Sequence, residues 1–308
     1  MSSSLNSNND LRLSVVIPSY YRYECLGTVL KMLENQSYKP FEVIICDQTP
    51  LDERPDNFYH QFKSLPLKIL NLEKPSFSYA RNKGAETSAG DIILFLDDDV
   101  EFAEDLLEQH VKIMAEENVD VVVGASPRSE KIHEHPEDND SRQFDPLNYL
   151  LKAKRGKWTG MVFGIIGLNS SVRREFFLRT GGFDEKIPRM EDAELGYRLY
   201  RSGAKIFRSY KPFVSHKRWP EGGSRKIKTQ KAYIRLVSKL YLYKKHFPGW
   251  STRQFIIHEI LNALAFRTSM SGYFNLRHFK NPLFPVSALY ILTKAWFKSE
   301  KLIRNTGD

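Results

Sequence analysis

The apolar residues of this chain fall into short unbroken runs, separated by stretches in which apolar positions recur every three or four residues. Leu13 to Ile17 is one such run, closed by Pro18, and its continuity predicts a strand buried on both faces. Residues 23–36 then take up helical spacing through Cys25, Leu26, Val29, Leu30 and Leu33. The same alternation continues. Strands are predicted at 41–47 (FEVIICD), 67–72, 91–99 (DIILFLDDD) and 119–125, with helices at 55–65, 77–89 and 103–117 between them. Gly90 supplies a helix stop. Beyond a polar stretch at 126–157, expected to be an irregular insertion, strand character returns at 161–173. A short helix is predicted at 191–202 and a strand–turn–strand at 205–219, and from about 226 onward the chain reads as helical, basic and aromatic.

Strands and helices alternating at this spacing predict an α/β fold with a mostly parallel sheet and helices on both faces. The expected divisions are a polar, disordered start at 1–10, an α/β domain at 11–225 and a helical region at 226–308. Sheets of this kind bind ligands at the carboxyl ends of their strands. Three of those ends carry chemistry: Pro18-Ser19-Tyr20, Asp47, and Asp97-Asp98-Asp99.

Composition narrows the picture. With Gly 17 and Pro 15 in 308 residues the chain is neither collagen-like nor low-complexity. Cys25 and Cys46, the only cysteines, exclude a disulfide scaffold and a cysteine-rich zinc module, and their apolar surroundings mark them as reduced core thiols. No basic-then-apolar leader and no run of 18 apolar residues is present, so a cytoplasmic protein is expected. Charge is strongly divided. Residues 1–197 hold 23 Lys and Arg against 33 Asp and Glu, whereas residues 198–308 hold 23 against 4, which together make the net +9. The basic half is suited to a polyanion: an anionic membrane, nucleic acid or a phosphorylated ligand.

In a strand, residues two apart share a face, so Asp97 and Asp99 are expected to project together and Asp98 to point away. Two converging carboxylates repel unless a cation lies between them, and hard divalent ions bind through carboxylates plus substrate phosphates. A second acidic group, Glu191, Asp192 and Glu194, crowds a helix start after a glycine-rich, aromatic turn. Helix-end electrostatics suffices for Glu194. A carboxylate beside a pocket can also serve as general base toward a hydroxyl.

Taken in order, these features resemble family 2 glycosyltransferases of the GT-A type, Rossmann-like fold. The likeness runs over roughly residues 12–219: the opening strand VVIPSYYR, Asp47, the ARNKG segment at 80–84, the Asp-x-Asp site at 97–99, the GGFDE turn at 181–185 and the EDAELGYRL helix at 191–199. The resemblance implies that Pro18 and Tyr20 frame the nucleotide base and that Asp47 accepts a hydrogen bond from it. Arg81 would reach the base, ribose or phosphates of the donor. Asp97 would hold the ribose, with Asp98 at the nucleotide and Asp97 and Asp99 at a Mn²⁺ or Mg²⁺ bridging the diphosphate. Asp192 would be the base of an inverting transfer, with Glu191 and the GGFDE turn shaping the sugar pocket. It further implies that His216 is a third metal ligand, and that Lys217, Arg218 and Arg225, around Gly222-Gly223, close over the leaving diphosphate. Three positions depart from the family pattern: Tyr21, where Asn is frequent; Gln48, where an acid or Asn is frequent; and Asp98, where the residue is often small.

The activity so implied is transfer from a nucleotide-diphosphate sugar, UDP favoured, to a glycan or lipid-linked hydroxyl, as in bacterial surface polysaccharide assembly. A non-catalytic nucleotide-sugar-binding protein and a sugar nucleotidyltransferase are the alternatives. The latter wants a glycine-rich phosphate loop after the first strand, and no glycine occurs here before Gly27. No nucleic-acid-binding module is present. In the C-terminal region, KLYLYKKHFPGW (239–250) and LFPVSALYILTKAWFK (283–298) set aromatic residues beside cations. That mixture suits peripheral binding to the inner face of an anionic membrane; a helical pair packed on the main domain, or a homodimer face, are the alternatives.

Overall fold

A computed structural model describes residues 11–126, 160–161, 164–216, 228–246 and 284–304. The expected disordered start, the 126–157 insertion apart from residue 126, and the glycine-bearing loop with Lys217, Arg218 and Arg225 lie outside the described residues.

The fold is α/β. In chain order the described elements begin with β1 (Leu13–Ser19), α1 (Tyr23–Glu34), β2 (Phe41–Asp47), β3 (Leu67–Asn71), α2 (Phe77–Thr87), β4 (Ile92–Leu96), β5 (Val100–Phe102), α3 (Leu106–Glu116) and β6 (Val121–Ala125). There follow β7 (Gly160–Met161), β8 (Asn169–Arg173), α4 (Arg174–Arg179), α5 (Glu191–Arg201), β9 (Ile206–His216), α6 (Lys228–His246) and α7 (Phe284–Arg304). The strands form a nine-stranded sheet in the order β3-β2-β1-β4-β8-β6-β9-β5, with β7 on β9. Strands β1, β2, β3, β4, β6 and β9 share one direction, so the sheet is mixed but mostly parallel.

Alternate strand residues feed two cores. Leu13, Val15 and Ile17 join Val43, Ile45, Ile92, Leu94 and the apolar faces of α1 and α3. Val16, Ile44, Cys46, Ile93 and Phe95 join α2, α4 and α5 on the other side. Helices therefore cover both faces, which is why β1, β2 and β4 are buried along their whole length and read as continuous apolar runs. Helix α2 lies close on the sheet because Gly84 has no side chain: a Cβ there would meet Val16 Cγ1 at 2.4 Å and Cys46 Sγ at 2.8 Å. Both cysteines are free and buried, and burial pushes the Cys46 thiol up to about 12, so it stays an inert core thiol.

Three local expectations are corrected. Residues 55–65 form no α-helix; 3₁₀ turns at Leu51–Glu53 and Phe58–Phe62 take their place. Pro55 and a left-handed Asn57 (φ 56°) break the helical path, and the aromatic residues of the second turn still reach the core. The run at 161–173 is not one strand: Gly160–Met161 pairs with β9, and β8 lies antiparallel between β4 and β6. Finally, 205–219 is not a strand–turn–strand. Among its described residues, Ile206–His216 is the single strand β9, whose pairing with β6 shifts register between Val123 and Ala125.

The chain divides into two compact units, and the segment Glu185–Glu191 groups with the C-terminal helices rather than with the sheet. In that second unit, Leu236, Val237, Leu240 and Tyr243 of α6 pack with Ala295 of α7. Ile187 packs with Tyr241 and Leu242, and Ser238 Oγ accepts the Arg189 N–H at 3.1 Å.

Candidate active site

The carboxyl ends of β1 and β4 lie side by side, and their residues build the site. Strand β4 stops at Leu96, so the three aspartates sit on a turn between β4 and β5. The turn sends them in different directions. Asp98 points into the protein, accepting from Ser19 Oγ at 2.9 Å and from Arg22 Nη1 at 2.8 Å. Burial pushes its carboxyl up to about 7, against the pull of the Arg22 guanidinium. Asp98, expected at the nucleotide, is 4% exposed and engaged by the Ser19 hydroxyl and the Arg22 guanidinium at the end of β1.

Asp97 and Asp99 each have one oxygen tied to an arginine. Arg81 Nη2 holds Asp97 Oδ1 at 2.8 Å, and Arg22 Nη2 holds Asp99 Oδ2 at 2.9 Å. The other oxygens face His216 Nε2, at 4.0 Å from Asp97 Oδ2 and 3.4 Å from Asp99 Oδ1. His216 is delivered there by strand pairing: β5 directly follows the acids and runs antiparallel to the end of β9, with Val100 opposite His216. One ligand atom from each of Asp97, Asp99 and His216 falls within 4.8 Å of the others.

This group fits a divalent cation. Asp99 Oδ1 is buried and makes no hydrogen bond, which is costly for a carboxylate unless a cation completes it. Ligand bonds of about 2.1 Å place neighbouring donors about 3 to 4.2 Å apart, the range spanned by the two histidine–carboxylate distances. Two carboxylate oxygens and one imidazole suit Mn²⁺ at least as well as Mg²⁺. Burial raises the Asp99 carboxyl, opposed by His216 and Arg22.

Arg81 does not reach outward. It is 4% exposed and lies near the rings of Phe77 and Phe183. Gly167 gives it room, since a Cβ there would stand 2.9 Å from the guanidinium. Its guanidinium is paired with Asp97 Oδ1. The next residue, Asn82, donates to Phe183 O and accepts from Phe183 N, so the GGFDE turn is stitched to α2 beside Arg81. Arg198 of α5 binds Glu194 and the carbonyls of Thr180 and Gly182, closing the same turn from below. Glu194 is thus a buried structural ion. Glu191 and Asp192 open α5, both half-buried, with Asp192 Oδ1 accepting the Ala193 N–H at 2.8 Å.

The base-side residues divide. Tyr20 is 44% exposed with its ring edge-on to Tyr21. Pro18 is buried within β1. Asp47 is fully buried: Oδ2 accepts from Tyr23 and Tyr59 hydroxyls at 2.9 and 2.7 Å and lies 3.3 Å from Arg54 Nε, and Oδ1 accepts Thr49 N–H at 3.0 Å. Both oxygens are thus engaged by the protein, Oδ2 more fully than Oδ1. Tyr21 holds a left-handed backbone (φ 57°), a conformation Asn adopts more cheaply. It is held by its N–H on Thr49 Oγ1 and its hydroxyl on Glu53.

Sequence reasoning missed the parts played by Arg22 and Ser19 and the cage around Asp47. Arg22 had a signal: it is a cation three residues beyond a strand end, facing a row of acids. The tyrosines around Asp47 had none, because they come from α1 and from the 3₁₀ turn.

A profile of the family described as Glycosyl transferase family 2 matches residues 14–180. Among curated proteins, the chain is 28% identical over 225 residues to glucosyl-dolichyl phosphate glucuronosyltransferase of Haloferax volcanii, covering 67% of this chain and 69% of that one. Among solved structures it resembles the Pyrobaculum calidifontis mannosyltransferase PcManGT in complex with GDP-Man and Mn²⁺, at a TM-score of 0.54, 16% identity and coverage of 97% and 88%. It also resembles S. aureus TarS 1-349 in complex with UDP, at a TM-score of 0.53, 15% identity and coverage of 96% and 92%. Among the described residues, no helix is long and apolar enough to cross a membrane.

Proposed function

The chain belongs to glycosyl transferase family 2 and is a nucleotide-sugar glycosyltransferase, and from that premise we propose that it moves a sugar from a UDP-sugar to a hydroxyl of a glycan or lipid-linked acceptor, with inversion. The observation that carries the reading is the convergence of Asp97 Oδ2, Asp99 Oδ1 and His216 Nε2, with Asp99 Oδ1 buried and unbonded. A Mn²⁺ or Mg²⁺ held there would neutralise charge on the departing diphosphate.

The chain's own residues supply the rest. Arg81 and Arg22 hold the outer oxygens of Asp97 and Asp99, so each carboxylate turns one oxygen to the diphosphate end. Tyr20 offers an exposed ring for the base at the end of β1. Asp192 takes the proton of the attacking acceptor hydroxyl, with Glu191 beside it. Lys217, Arg218 and Arg225 lie outside the described residues and are assigned, from the sequence, to the diphosphate. A lipid-linked acceptor is supported by the name of the Haloferax volcanii relative. TarS 1-349 binds UDP and PcManGT binds GDP-Man in the structures compared above, and UDP is the nucleotide proposed here.

Calorimetry with UDP-, GDP- and dTDP-sugars, in Mn²⁺ and then in chelator, tests the donor site. Metal-dependent binding of the UDP-sugar is expected; binding of none, or equal binding in chelator, overturns it. Asp192→Asn should lower transfer by about 1000-fold or more, the upper part of what a lost general base and its charge cost, while donor affinity stays within about twofold. A large loss of donor affinity would remove Asp192 from the role of base.

A further inference from the structure

The two basic, aromatic stretches of the C-terminal region look alike in sequence, but among their described residues the first is mostly buried and the second exposes one side. In α6, Leu240, Tyr241, Leu242 and Tyr243 are all buried, and Lys244 lies over the Trp296 ring at 3.3 Å. That stretch is core. Helix α7 differs. Its inner side carries Ala295 and Ser299, both 0% exposed, with Trp296 and Leu302 packed on α6 and Ile303 on the cluster of Ile187, Tyr241 and Leu242.

From residue 293 to 304, every exposed residue of α7 lies on the other side: Thr293, Lys294, Phe297, Lys298, Lys301 and Arg304. At about 100° per residue these six span an arc of about 140° and a length of about 18 Å. Four are cations, none is acidic, and Phe297, 64% exposed, stands inside the arc rather than at its edge. Glu300 at the margin is engaged with Lys244 at 3.6 Å and Arg304 at 3.7 Å.

We infer that this outer face of α7 docks on an anionic lipid surface, with Lys294, Lys298, Lys301 and Arg304 at the headgroups and Phe297 inserted at the acyl boundary. Purely electrostatic solvation accounts for the cations but leaves an exposed phenyl ring among them, and interfacial helices combine the two. A second copy of the same face is a poor partner, since a two-fold contact would set four cations against four. A nucleic acid would meet the cations but has no need of Phe297 as an apolar anchor.

Flotation of the full-length protein with phosphatidylcholine vesicles, with and without phosphatidylglycerol, tests the proposal. Binding is expected only with phosphatidylglycerol and should weaken with salt. The Lys298→Gln/Lys301→Gln/Arg304→Gln variant should partition about 100-fold less, about fivefold per cation. Phe297→Ser should cost about tenfold. Thermal unfolding, independent of any activity, checks that each variant is folded; should the triple variant melt early, Phe297→Ser carries the test. Equal partitioning of the wild type and a folded variant overturns the proposal. So does wild-type binding that ignores phosphatidylglycerol. Tighter binding to an RNA homopolymer than to the vesicles, lost in the triple variant, overturns it in favour of a nucleic-acid surface.

Discussion

Asp47 and Asp99 are both buried aspartates at carboxyl ends of sheet strands or just beyond them, yet their surroundings are opposite. Asp47 is caged by two tyrosine hydroxyls, a backbone N–H and Arg54. Asp99 has one oxygen held by Arg22 and the other without a hydrogen bond, facing His216. A carboxylate with both oxygens answered by protein donors stabilises the fold. One left half-answered in a buried place is paid for by whatever it binds. Burial, residue type and position on the sheet do not tell the two apart; only the census of donors does.

Replacing the charge at each position should break the pair in different ways. Asp99→Asn is expected to lower transfer by about 1000-fold and to remove the Mn²⁺ dependence of nucleotide binding. Because the lost oxygen accepts no hydrogen bond and faces His216 at 3.4 Å, the melting temperature should stay within about 2 °C of wild type. Melting curves and calorimetry on one preparation check both halves. Asp47→Ala should do the reverse. Stripping the carboxylate from its cage costs about 3–5 kcal/mol in denaturant titration, while the metal dependence of nucleotide binding in the folded protein is retained.

A third buried carboxylate sharpens the comparison through pH. Glu42 is 1% exposed and, despite burial, is held down to about 2 by Lys68, the Ser14 hydroxyl and the Ala89 N–H. Its folded value is below the ordinary 4.5, so its contribution is full above that pH and is lost as pH falls toward about 2. Lys68 is 43% exposed and screened, so Glu42→Gln should cost about 1–3 kcal/mol at neutral pH, shrinking toward zero near pH 2 in parallel unfolding curves. Smallest of all, Tyr59→Phe removes one of the donors to Asp47 and should cost about 1 kcal/mol, without effect on metal-dependent nucleotide binding.

Several expectations rested on patterns too short to carry them. The 55–65 stretch has helical apolar spacing, but Pro55 and the left-handed Asn57 leave room only for a 3₁₀ turn. The two-residue rule placed Asp97 and Asp99 together and Asp98 apart, and the separation is real. It arises from a turn, and from Ser19 and Arg22 drawing Asp98 inward, rather than from strand pleat. His216 was legible only through family likeness. What seats it is the pairing of β5 with β9, between residues more than a hundred positions apart. In the C-terminal region the two aromatic, cationic runs were indistinguishable on paper, and packing made one a core and the other a surface.

By itself the sequence determined the α/β alternation, the burial of β1, β2 and β4 on both faces, and the presence of acids at strand ends. These follow from local periodicity, because a strand covered by helices on both sides has no polar face to show. Only the tertiary structure decided which carboxylates are satisfied, which arginines hold them, and where β8 enters the sheet. Those outcomes depend on donors brought together from distant segments, and the free energy of a buried charge is set by those neighbours rather than by its own position in the chain.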